Sequence, residues 1–532
     1  MRVPARRRQM KSVPASFPAP TGGWISNRSL AVGRRSDLPP GAAVLDNWFP
    51  TATGVVLRRG CQYRYDLGAT VVTMFKYVSG GASRLFAATV DDIFDITTDP
   101  EVQMLDTTDG HWSTQQITNA GGTFLIGVNG VDPAWIYDGT SFATTSITFP
   151  GGASLSTADL SFVWLYAGRL FFIQKNSMSA WYLDVGAIAG ELTELPLGGS
   201  FQIGGALMWG QSWSLSSGGA GGLSDQCVFT STEGEVLAYQ GLNPSEASSW
   251  TKVGLYRIGR PLGRDAFLRA GGDLLICTSV GLISLAKAAQ SDLAALGRVA
   301  VSYPIEDAWN DMVRKRGVGN WKCLIWPEGN MVIVAPPPVS AGDQLDSVLL
   351  VANANTGAWC RFTGWNVSAI ETINGQLHFG GDVENGSRVG GLYIGNVSGI
   401  DDQSIYTGVC IPLYEDMGAP AQRKIARNAR VVKRSLRDAK EKVTAMFDFS
   451  TIAPSPPNPP VINGSSLWEV GLWDQAIWGE GVGEVVTGVW KSLGGSGQDV
   501  SVCVQVSSGD ISPLDTEIIR IDATLETAGV IS

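Results

Sequence analysis

The side chains that most often carry out catalysis or bind metals are scarce in this sequence. Histidine occurs only twice, as His111 and His378. A Ser-His-Asp triad needs a histidine as its general base, and a catalytic zinc site draws on several His or Cys ligands. His378 lies within an apolar stretch typical of a buried strand, and His111 lies beside Trp112 in a predicted turn. The histidines therefore favour a protein without a catalytic or metal centre.

The cysteines lead to the same conclusion. An odd number of them, seven, is spread along the chain without a C-x-x-C pair: Cys61, Cys227, Cys277, Cys323, Cys360, Cys410 and Cys503. This pattern predicts neither a disulfide framework nor a zinc site. Most lie in apolar runs, where a thiol packs as a small hydrophobic group. Synthesis in a reducing cytoplasm fits this usage.

Phosphate loops and paired carboxylates are also missing. The sequence has no G-x-x-x-x-G-K-[ST] motif, and the glycine-rich run Gly218–Gly222 lacks the lysine and the following helix, so it is interpreted as a flexible surface loop. The adjacent pairs Asp91-Asp92 and Asp401-Asp402 would face opposite sides of a strand. Four arginines in one stretch are interpreted as a solvated basic loop: Arg257, Arg260, Arg264 and Arg269. We therefore predict no catalytic residue, no metal and no cofactor, and a protein that is not an enzyme.

Composition indicates an all-β fold. The 532 residues include 18 Trp, 18 Phe and 65 Gly, and only 17% are charged, as expected for many short strands joined by tight turns. The net charge of −10 argues against tight nucleic-acid binding, because neutralising phosphates supplies most of that affinity. It is compatible with DNA that slides past a wall without sticking. No stretch is long and apolar enough to predict a membrane anchor, and no secretory signal is visible.

A unit of two apolar runs separated by a turn recurs between residues 70 and 397. Arg84-Leu85-Phe86-Ala87 before Ile93-Phe94 is the first example, and seven such pairs begin at residues 84, 123, 169, 226, 273, 330 and 376. Propeller blades of four strands repeat at about 40–50 residues, and blades must stack because none can cover its own apolar faces. The sequence predicts a β-propeller of six to eight blades, with a β-sandwich or barrel as the alternative.

Tryptophans in this region admit two interpretations. They could form stacking platforms for sugars or bases, but their regular position near strand ends favours packing between blades. The residues concerned are Trp164, Trp181, Trp209, Trp213, Trp250, Trp309, Trp321, Trp326, Trp359 and Trp365.

Changes in composition divide the chain into five segments. We predict an extended N-terminal arm at 1–45, the propeller at 46–400, a basic platform segment at 401–453, a Pro-rich linker at 454–462 and a C-terminal β-domain at 463–532. Within 423–443 the apolar spacing fits a helix, whereas Val431-Val432 fits a strand, and the sequence leaves both open. Basic residues in the arm and the platform segment are candidates for partner contacts: Arg6, Arg7, Arg8, Arg423, Lys424, Arg427, Arg430, Lys433 and Arg434.

Both ends of the chain resemble a known family. The opening carries Pro20-Thr21-Gly22-Gly23-Trp24, Asn27-Arg28-Ser29-Leu30, Leu38–Ala43, Asp46-Asn47-Trp48-Phe49-Pro50 and Gly54–Gly60, an N-x-[FW]-P element followed by R-x-G. The end carries Ala429–Val432, Phe447-Asp448-Phe449, and Trp473, Trp478 and Trp490 before the closing strands. These features resemble the nozzle proteins of short-tailed bacteriophages, also called tail tubular protein B or tail hub accessory proteins.

The resemblance implies a structural role in the virion. Such a subunit would form a homo-oligomeric, six-fold ring below the head–tail adaptor and portal assembly, contact tail fibres or spikes, hold packaged double-stranded DNA and pass it at ejection without sequence specificity. It also implies that the N- and C-terminal segments combine into a β-rich platform beside the propeller. The alternatives are a glycan-binding or glycan-cleaving propeller, and a receptor-binding or fibre-adaptor tail protein.

Overall fold

The computed structural model describes residues 11–26, 39–151, 154–215, 224–246, 248–339, 346–383, 390–435, 439–459, 484–509 and 511–530. The described part of the chain is almost entirely β-structure. Its first strands are β1 (Lys11–Pro18), β2 (Ala42–Asp46), β3 (Trp48–Pro50), β4 (Val55–Leu57) and β5 (Gly60–Asp66). β5 completes the repeating unit that follows, and β2 pairs with one strand of that unit and one strand after it. β1 and β4 pair with the last strand of the chain, and β3 pairs with β4.

Four antiparallel sheets of four strands come next in sequence order. Blade 1 is β6 (Thr73–Ser79), β7 (Ala82–Ala88), β8 (Asp92–Asp95) and β9 (Val102–Asp106). Blade 2 is β10 (Ser113–Asn119), β11 (Gly122–Val128), β12 (Trp135–Tyr137) and β13 (Phe142–Thr144). Blade 3 is β15 (Leu160–Tyr166), β16 (Arg169–Gln174), β17 (Ser179–Tyr182) and β19 (Thr193–Pro196), and the short strands β14 (Ile147–Thr148) and β18 (Gly190–Glu191) pair beside it. Blade 4 is β20 (Leu207–Leu215), β21 (Ser224–Ser231), β22 (Glu235–Gln240) and β23 (Thr251–Arg257).

The next three blades depart from this plan. Blade 5 has three described strands, β24 (Phe267–Ala270), β25 (Asp273–Thr278) and β26 (Gly281–Ser284), followed by the helices α1 (Leu285–Ala288), α2 (Leu296–Val299) and α3 (Glu306–Arg316). Blade 6 is β27 (Lys322–Trp326), β28 (Met331–Ala335), β29 (Val348–Asn353) and β30 (Trp359–Thr363). Blade 7 is β31 (Trp365–Ile373), β32 (Gln376–Val383) and β33 (Gly391–Ser398), completed by β5 from the start of the chain.

Contacts between successive blades close a ring. Six sheets belong to the ring alone, and blade 6, the first part of a larger eight-stranded sheet, fills the remaining position among the described strands. The neighbouring blades are joined, in order around the ring from blade 1, by Val78–Gln116, Val163–Ser113, Trp164–Phe229, Trp209–Phe267, Cys323–Asp265, Trp326–Gly375 and Lys76–Glu371. The predicted all-β propeller is therefore confirmed, and each predicted hairpin is the pair of second and third strands of one blade.

Apolar side chains between blades account for the stacking. Phe75 of blade 1, for example, packs against its cross-strand neighbour Phe86 with ring centroids 5.4 Å apart, and against Trp135 of blade 2 at 5.5 Å. The ten tryptophans in question are all buried, with at most 8% of any side chain exposed. This confirms the packing interpretation, because a stacking platform needs an accessible ring face.

A second β-rich unit, which we call the platform, is built from both ends of the chain. It contains β1–β4 together with β34 (Thr407–Pro412), β35 (Gln422–Ser435), β36 (Glu441–Phe447), β37 (Glu484–Thr487), β38 (Lys491–Ser492), β39 (Ser496–Gly497), β40 (Val500–Ser507) and β41 (Glu517–Val530). One of its sheets continues blade 6 in the order β30-β2-β34-β40-β36, and the other centres on the long antiparallel pair β35 and β41. The predicted platform of N- and C-terminal segments is confirmed.

The two platform sheets share one core with the propeller. Val431 and Ala523 from the β35–β41 sheet, Val504 from the facing sheet, and Trp359 and Phe362 from blade 6 belong to a single buried cluster. The segment 423–443, for which the sequence allows a helix or a strand, lies in strands β35 and β36. Pairing with β41 and β40 satisfies the hydrogen bonds of its backbone.

The segment boundaries differ from those expected from composition. β1–β4 pair within the platform, so the arm is partly a strand and the ring begins at β5 rather than at residue 46. β40 and β41 share sheets with β34–β36, so the C-terminal strands do not form a separate domain. Residues 454–459 of the predicted linker lie against β40, where the carbonyl oxygens of Pro454 and Pro457 accept hydrogen bonds from Gln505 and Ser507. The pairings of β1 with β41 and of β5 with β33 join residues more than three hundred positions apart, so local composition cannot reveal them. No helix in the described ranges is long and apolar enough to cross a membrane.

Gly60 tests the closure of blade 7. A Cβ atom at this position would lie 2.0 Å from the carbonyl oxygen of Ile400. We expect Gly60→Ala to force β5 away from β33 and lower the free energy of unfolding by at least about 1–3 kcal/mol, measured by urea denaturation. Gly199→Ala is the matched control, because nothing lies within 4 Å of the added Cβ. Equal stability of the two variants would contradict this closure.

Candidate functional site

The joint between propeller and platform is organised by one buried arginine. Arg58, whose side chain is fully buried, follows β4 and forms a bidentate pair with Asp401, with Nη–Oδ distances of 2.7 and 2.9 Å. The guanidinium carbon lies 4.0 Å from the ring centroid of Tyr406 and 4.7 Å from that of Trp365. Burial alone would lower the pKa of Arg58, but the charge and hydrogen bonds of Asp401 outweigh it and raise the pKa. The joint is therefore a desolvated ion pair enclosed by aromatic rings.

Asn47 fixes Arg58 from the other side. Its Oδ1 accepts hydrogen bonds from Nε of Arg58 at 2.8 Å and from the backbone N–H of Thr363 at 2.9 Å, and its Nδ2 donates to the carbonyl oxygen of Thr407 at 2.9 Å. Asn47 is fully buried with a φ of 59°, a left-handed conformation that asparagine tolerates better than most residues. The N-x-[FW]-P and R-x-G elements of the sequence thus meet at the joint.

The rest of the opening motif attaches to blade 6. The backbone N–H of Trp24 donates to the carbonyl oxygen of Trp359 at 2.7 Å, and Arg361 pairs with Asp46 at 2.6 Å while its guanidinium carbon lies 4.7 Å from a ring centroid of Trp24. Gly23 has a φ of 78°, and a Cβ there would lie 2.6 Å from the backbone of Trp359. This close approach explains a glycine before Trp24.

A row of ion pairs follows the exposed face of β35 and β41. Arg427 pairs with Glu526 at 2.6 Å, Arg430 with Asp522 at 3.0 Å and Arg434 with Glu517 at 3.0 Å. The first and last of these arginine side chains are 50% exposed, and that of Arg430 is 29% exposed with its guanidinium 4.7 Å from the ring centroid of Trp490. The row presents guanidinium groups to solvent while adjacent carboxylates cancel much of their charge.

Two of the predicted contact residues face inward. Lys424 is fully buried, and its Nζ donates to the carbonyl oxygens of Ala419 and Gln498, each at 2.6 Å. Lys433 is 6% exposed and pairs with Glu441 at 2.6 Å. The partner-contact prediction is wrong for these two lysines, because their ammonium groups bond within the chain. It remains a prediction for Arg423, Arg427, Arg430 and Arg434, whereas Arg6, Arg7 and Arg8 lie outside the described residues.

The propeller axis holds a polar well. It is a cavity of about 370 Å³ lined by the inner strands of all seven described blades. Thr73 and Ser113, at the start of their strands, are 8% and 5% exposed, whereas the Lys76 side chain further along is 41% exposed. The well is therefore closed where the inner strands begin and opens towards their ends.

Arg264 bridges three blades at the end where the inner strands begin. It precedes blade 5, crosses the axis, and donates from Nη1 to the carbonyl oxygen of Ser161 at 2.9 Å and from Nη2 to the carbonyl oxygen of His111. Lys322 of blade 6 donates from Nζ to the carbonyl oxygen of Val72 at 2.8 Å. The acceptors lie within or just before the inner strands of blades 1–3, so the two cations connect blades that are not neighbours in the ring.

Sequence reasoning missed Arg264. The sequence groups it with three arginines in a solvated loop. That interpretation fits Arg257 and Arg260, whose side chains are 48% and 57% exposed. Arg269 is exposed as well. No local pattern distinguishes Arg264 from them, because its acceptors lie more than a hundred residues earlier. The glycine run Gly218–Gly222 lies outside the described residues.

The other chemistry-bearing residues are mostly packed in the core. His378 is 6% exposed in β32, as predicted, and burial, with the charge of Arg64, lowers its pKa to about 4. His111 is 42% exposed and its Nδ1 lies 2.9 Å from a carboxylate oxygen of Asp109. All seven cysteines are free thiols, and Cys323 is the one that is not fully buried. Within the described ranges, no group of three or more His, Cys, Asp or Glu side chains could hold a metal ion.

The chain has only distant similarity to known proteins. No protein-family model matches the chain, and no curated protein sequence matches it. Saccharomyces cerevisiae Sqt1 is 10% identical over 61% of this chain and 83% of its own, with a TM-score of 0.36. The structure described as YCF48 bound to D1 peptide is 12% identical over 64% of this chain and 94% of its own, with a TM-score of 0.34. Both are propeller proteins, and likeness this distant carries no functional argument.

The joint yields a stability prediction. Arg58→Met leaves Asp401 buried without its partner, so we expect the free energy of unfolding to fall by about 3–5 kcal/mol in urea denaturation. The neighbouring Arg59 provides the control, because its pair with Asp515 is 46% exposed on the arginine side. Arg59→Gln should cost less than about 1 kcal/mol. A loss for Arg58→Met no larger than that of the control would show that the joint is not organised by this pair.

Proposed function

We propose that this protein is a structural, non-enzymatic subunit of a short bacteriophage tail, which forms the distal DNA channel as a ring below the head–tail adaptor. The proposal rests on the sequence motifs that meet in the joint and the platform. The opening motif, through Asn47 and Arg58, and Ala429–Val432 on β35 are the parts that resemble nozzle proteins, and they converge on one unit. The described residues of these motifs therefore contribute to the same structural unit.

Side-chain bridges across the propeller support assembly around a different axis. Arg264 and Lys322 bridge the propeller where its inner strands begin, so a polymer cannot thread this well. A DNA conduit must therefore be enclosed by several copies of the chain, with the path between them. The proposed homo-oligomer, a hexamer, meets this requirement.

Charge supports a conduit that does not retain DNA by adhesion. The chain carries a net charge of −10, and Arg427, Arg430 and Arg434 on β35 are each paired with a carboxylate. Few phosphates can then be neutralised, and phosphate neutralisation supplies most non-specific affinity. A ring of such subunits lets double-stranded DNA slide once the path opens.

A glycan-cleaving propeller would need free carboxylates in its central cavity. The carboxylates that line the well are each engaged by a lysine: Glu371 by Lys76 at 3.1 Å and Asp265 by Lys322 at 3.5 Å. This arrangement favours the structural role.

Electron microscopy tests the proposal. We expect purified full-length protein, alone or mixed with the head–tail adaptor of the same virion, to form six-fold rings in negative stain, with a matching mass by mass photometry. Rings require large interfaces, so they should persist on dilution. Particles that stay monomeric with and without the adaptor would favour a glycan-acting propeller, and trimers would favour a receptor-binding or fibre-adaptor protein; either result contradicts the nozzle role.

A further inference from the structure

The exposed side of β35 and β41 has the composition of a protein-binding surface. Four arginine side chains pair there with three carboxylates: Arg427, Arg430, Arg434 and Arg520 with Glu517, Asp522 and Glu526. This cluster therefore keeps one positive charge. Val489 and Trp490 are 80% and 44% exposed, and the ring centroid of Trp490 lies 4.7 Å from the guanidinium carbon of Arg430. Tryptophan and arginine are enriched where protein interfaces bind most strongly. We call this set of residues the arginine face.

The outer edge of blade 1 has the opposite charge. β9 is the last strand of its sheet and has no partner on its outer side among the described strands. Asp91, Asp92 and Asp106 lie together at one end of this edge, where Asp92 pairs in register with Asp106. None of the three carboxylates has a cationic side chain within 4.0 Å among the described residues. Val90 and Val102 on the same edge are 47% and 52% exposed. We call these five residues the acidic edge.

The carboxylates of the acidic edge repel one another. Nε2 of Gln103 donates to a carboxylate oxygen of Asp92 and to one of Asp106, each at 2.6 Å, so two carboxylates share one neutral partner. Burial is the main cause that raises the pKa of Asp92, and the charges of Asp106 and Asp91 raise it further, against the hydrogen bond from Gln103. A cation supplied from outside the chain would relieve this repulsion.

We propose that the arginine face of one copy of the chain binds the acidic edge of the next copy, so that copies join head to tail. The inference rests on the proposed ring and names the two surfaces that close it. Both surfaces combine exposed apolar side chains with charge, and the charges are of opposite sign, as complementary interfaces require. One surface belongs to the platform and the other to blade 1. A contact between two different surfaces is heterologous, and it forms a ring when its rotation closes.

A phosphate backbone fits the arginine face less well than a second copy does. A cluster with one uncompensated positive charge neutralises few phosphates, and that neutralisation supplies most of the affinity for DNA. The exposed Val489 and Trp490 gain free energy when they are buried against another apolar surface. Val90 and Val102 of the acidic edge supply such a surface. The chemistry of both surfaces therefore favours contact between copies.

Charge reversal in the full-length protein tests this contact. Arg427→Glu and Asp91→Lys each place like charges across it, so we expect each substitution to weaken ring assembly by about tenfold or more. A chain that carries both substitutions again has opposite charges and should assemble to within about threefold of the original protein. Mass photometry over a range of concentrations measures both effects. The two original side chains are exposed, so circular dichroism should show an unchanged fold.

Arg314→Glu on α3 is the matched control. Like Arg427, Arg314 pairs with one carboxylate, that of Asp311 at 3.1 Å, and its side chain is 77% exposed. This variant should assemble as the original protein does. If the original forms rings that Arg427→Glu and Asp91→Lys weaken no more than the control, the contact is overturned and the ring stands; an original that stays monomeric contradicts both. Loss of double-stranded DNA binding by Arg427→Glu in an electrophoretic shift, with unchanged assembly, would assign the face to DNA and overturn the contact as well.

Discussion

The structure depends on one desolvated ion pair, Arg58 with Asp401. These residues lie on either side of the propeller in sequence, Arg58 just before its first strand and Asp401 just after its last. A buried pair of this kind tolerates little displacement, because separating the charges leaves each without solvent or partner. Asn47, Trp365 and Tyr406 add hydrogen bonds and ring contacts that define its geometry. The same ion pair therefore joins the two ends of the ring and attaches the platform to it.

The Arg58–Asp401 pair holds the platform in a fixed position relative to the ring. Blade 6 continues directly into the platform through β2 and β34, and a single apolar core runs across the boundary. The described chain is thus one unit whose propeller is bridged by Arg264, and Arg427 and Arg434 on β35 remain exposed to solvent. In the proposed role, such a molecule would be one segment of a wall, and further copies would enclose the path.

The sequence predicted the part of the fold that is local and missed what is distant. Two apolar runs around a turn, as in Leu85–Ala87 and Ile93-Phe94, identify the central hairpin of every blade, because strand period and turn chemistry are local properties. The pairing of β5 with β33, or of β1 with β41, joins residues more than three hundred positions apart and leaves no periodic signal. The basic strand was predicted as a contact surface, yet Lys424 and Lys433 are buried whereas Arg427 and Arg434 are exposed, because irregularities along β35 interrupt the simple alternation of its side chains. Arg264 acts through carbonyl acceptors that no motif reveals.

Native-state hydrogen exchange on the full-length protein tests most directly whether propeller and platform are a single body. Backbone amides at the joint, such as those of Arg58 and Asn47, and amides of the inner strands of the propeller should exchange with the same free energy of opening, because the buried pair couples them. Exchange at the joint that proceeds through a much smaller free energy of opening, while the inner strands stay protected, would show that the platform opens independently and would contradict the account.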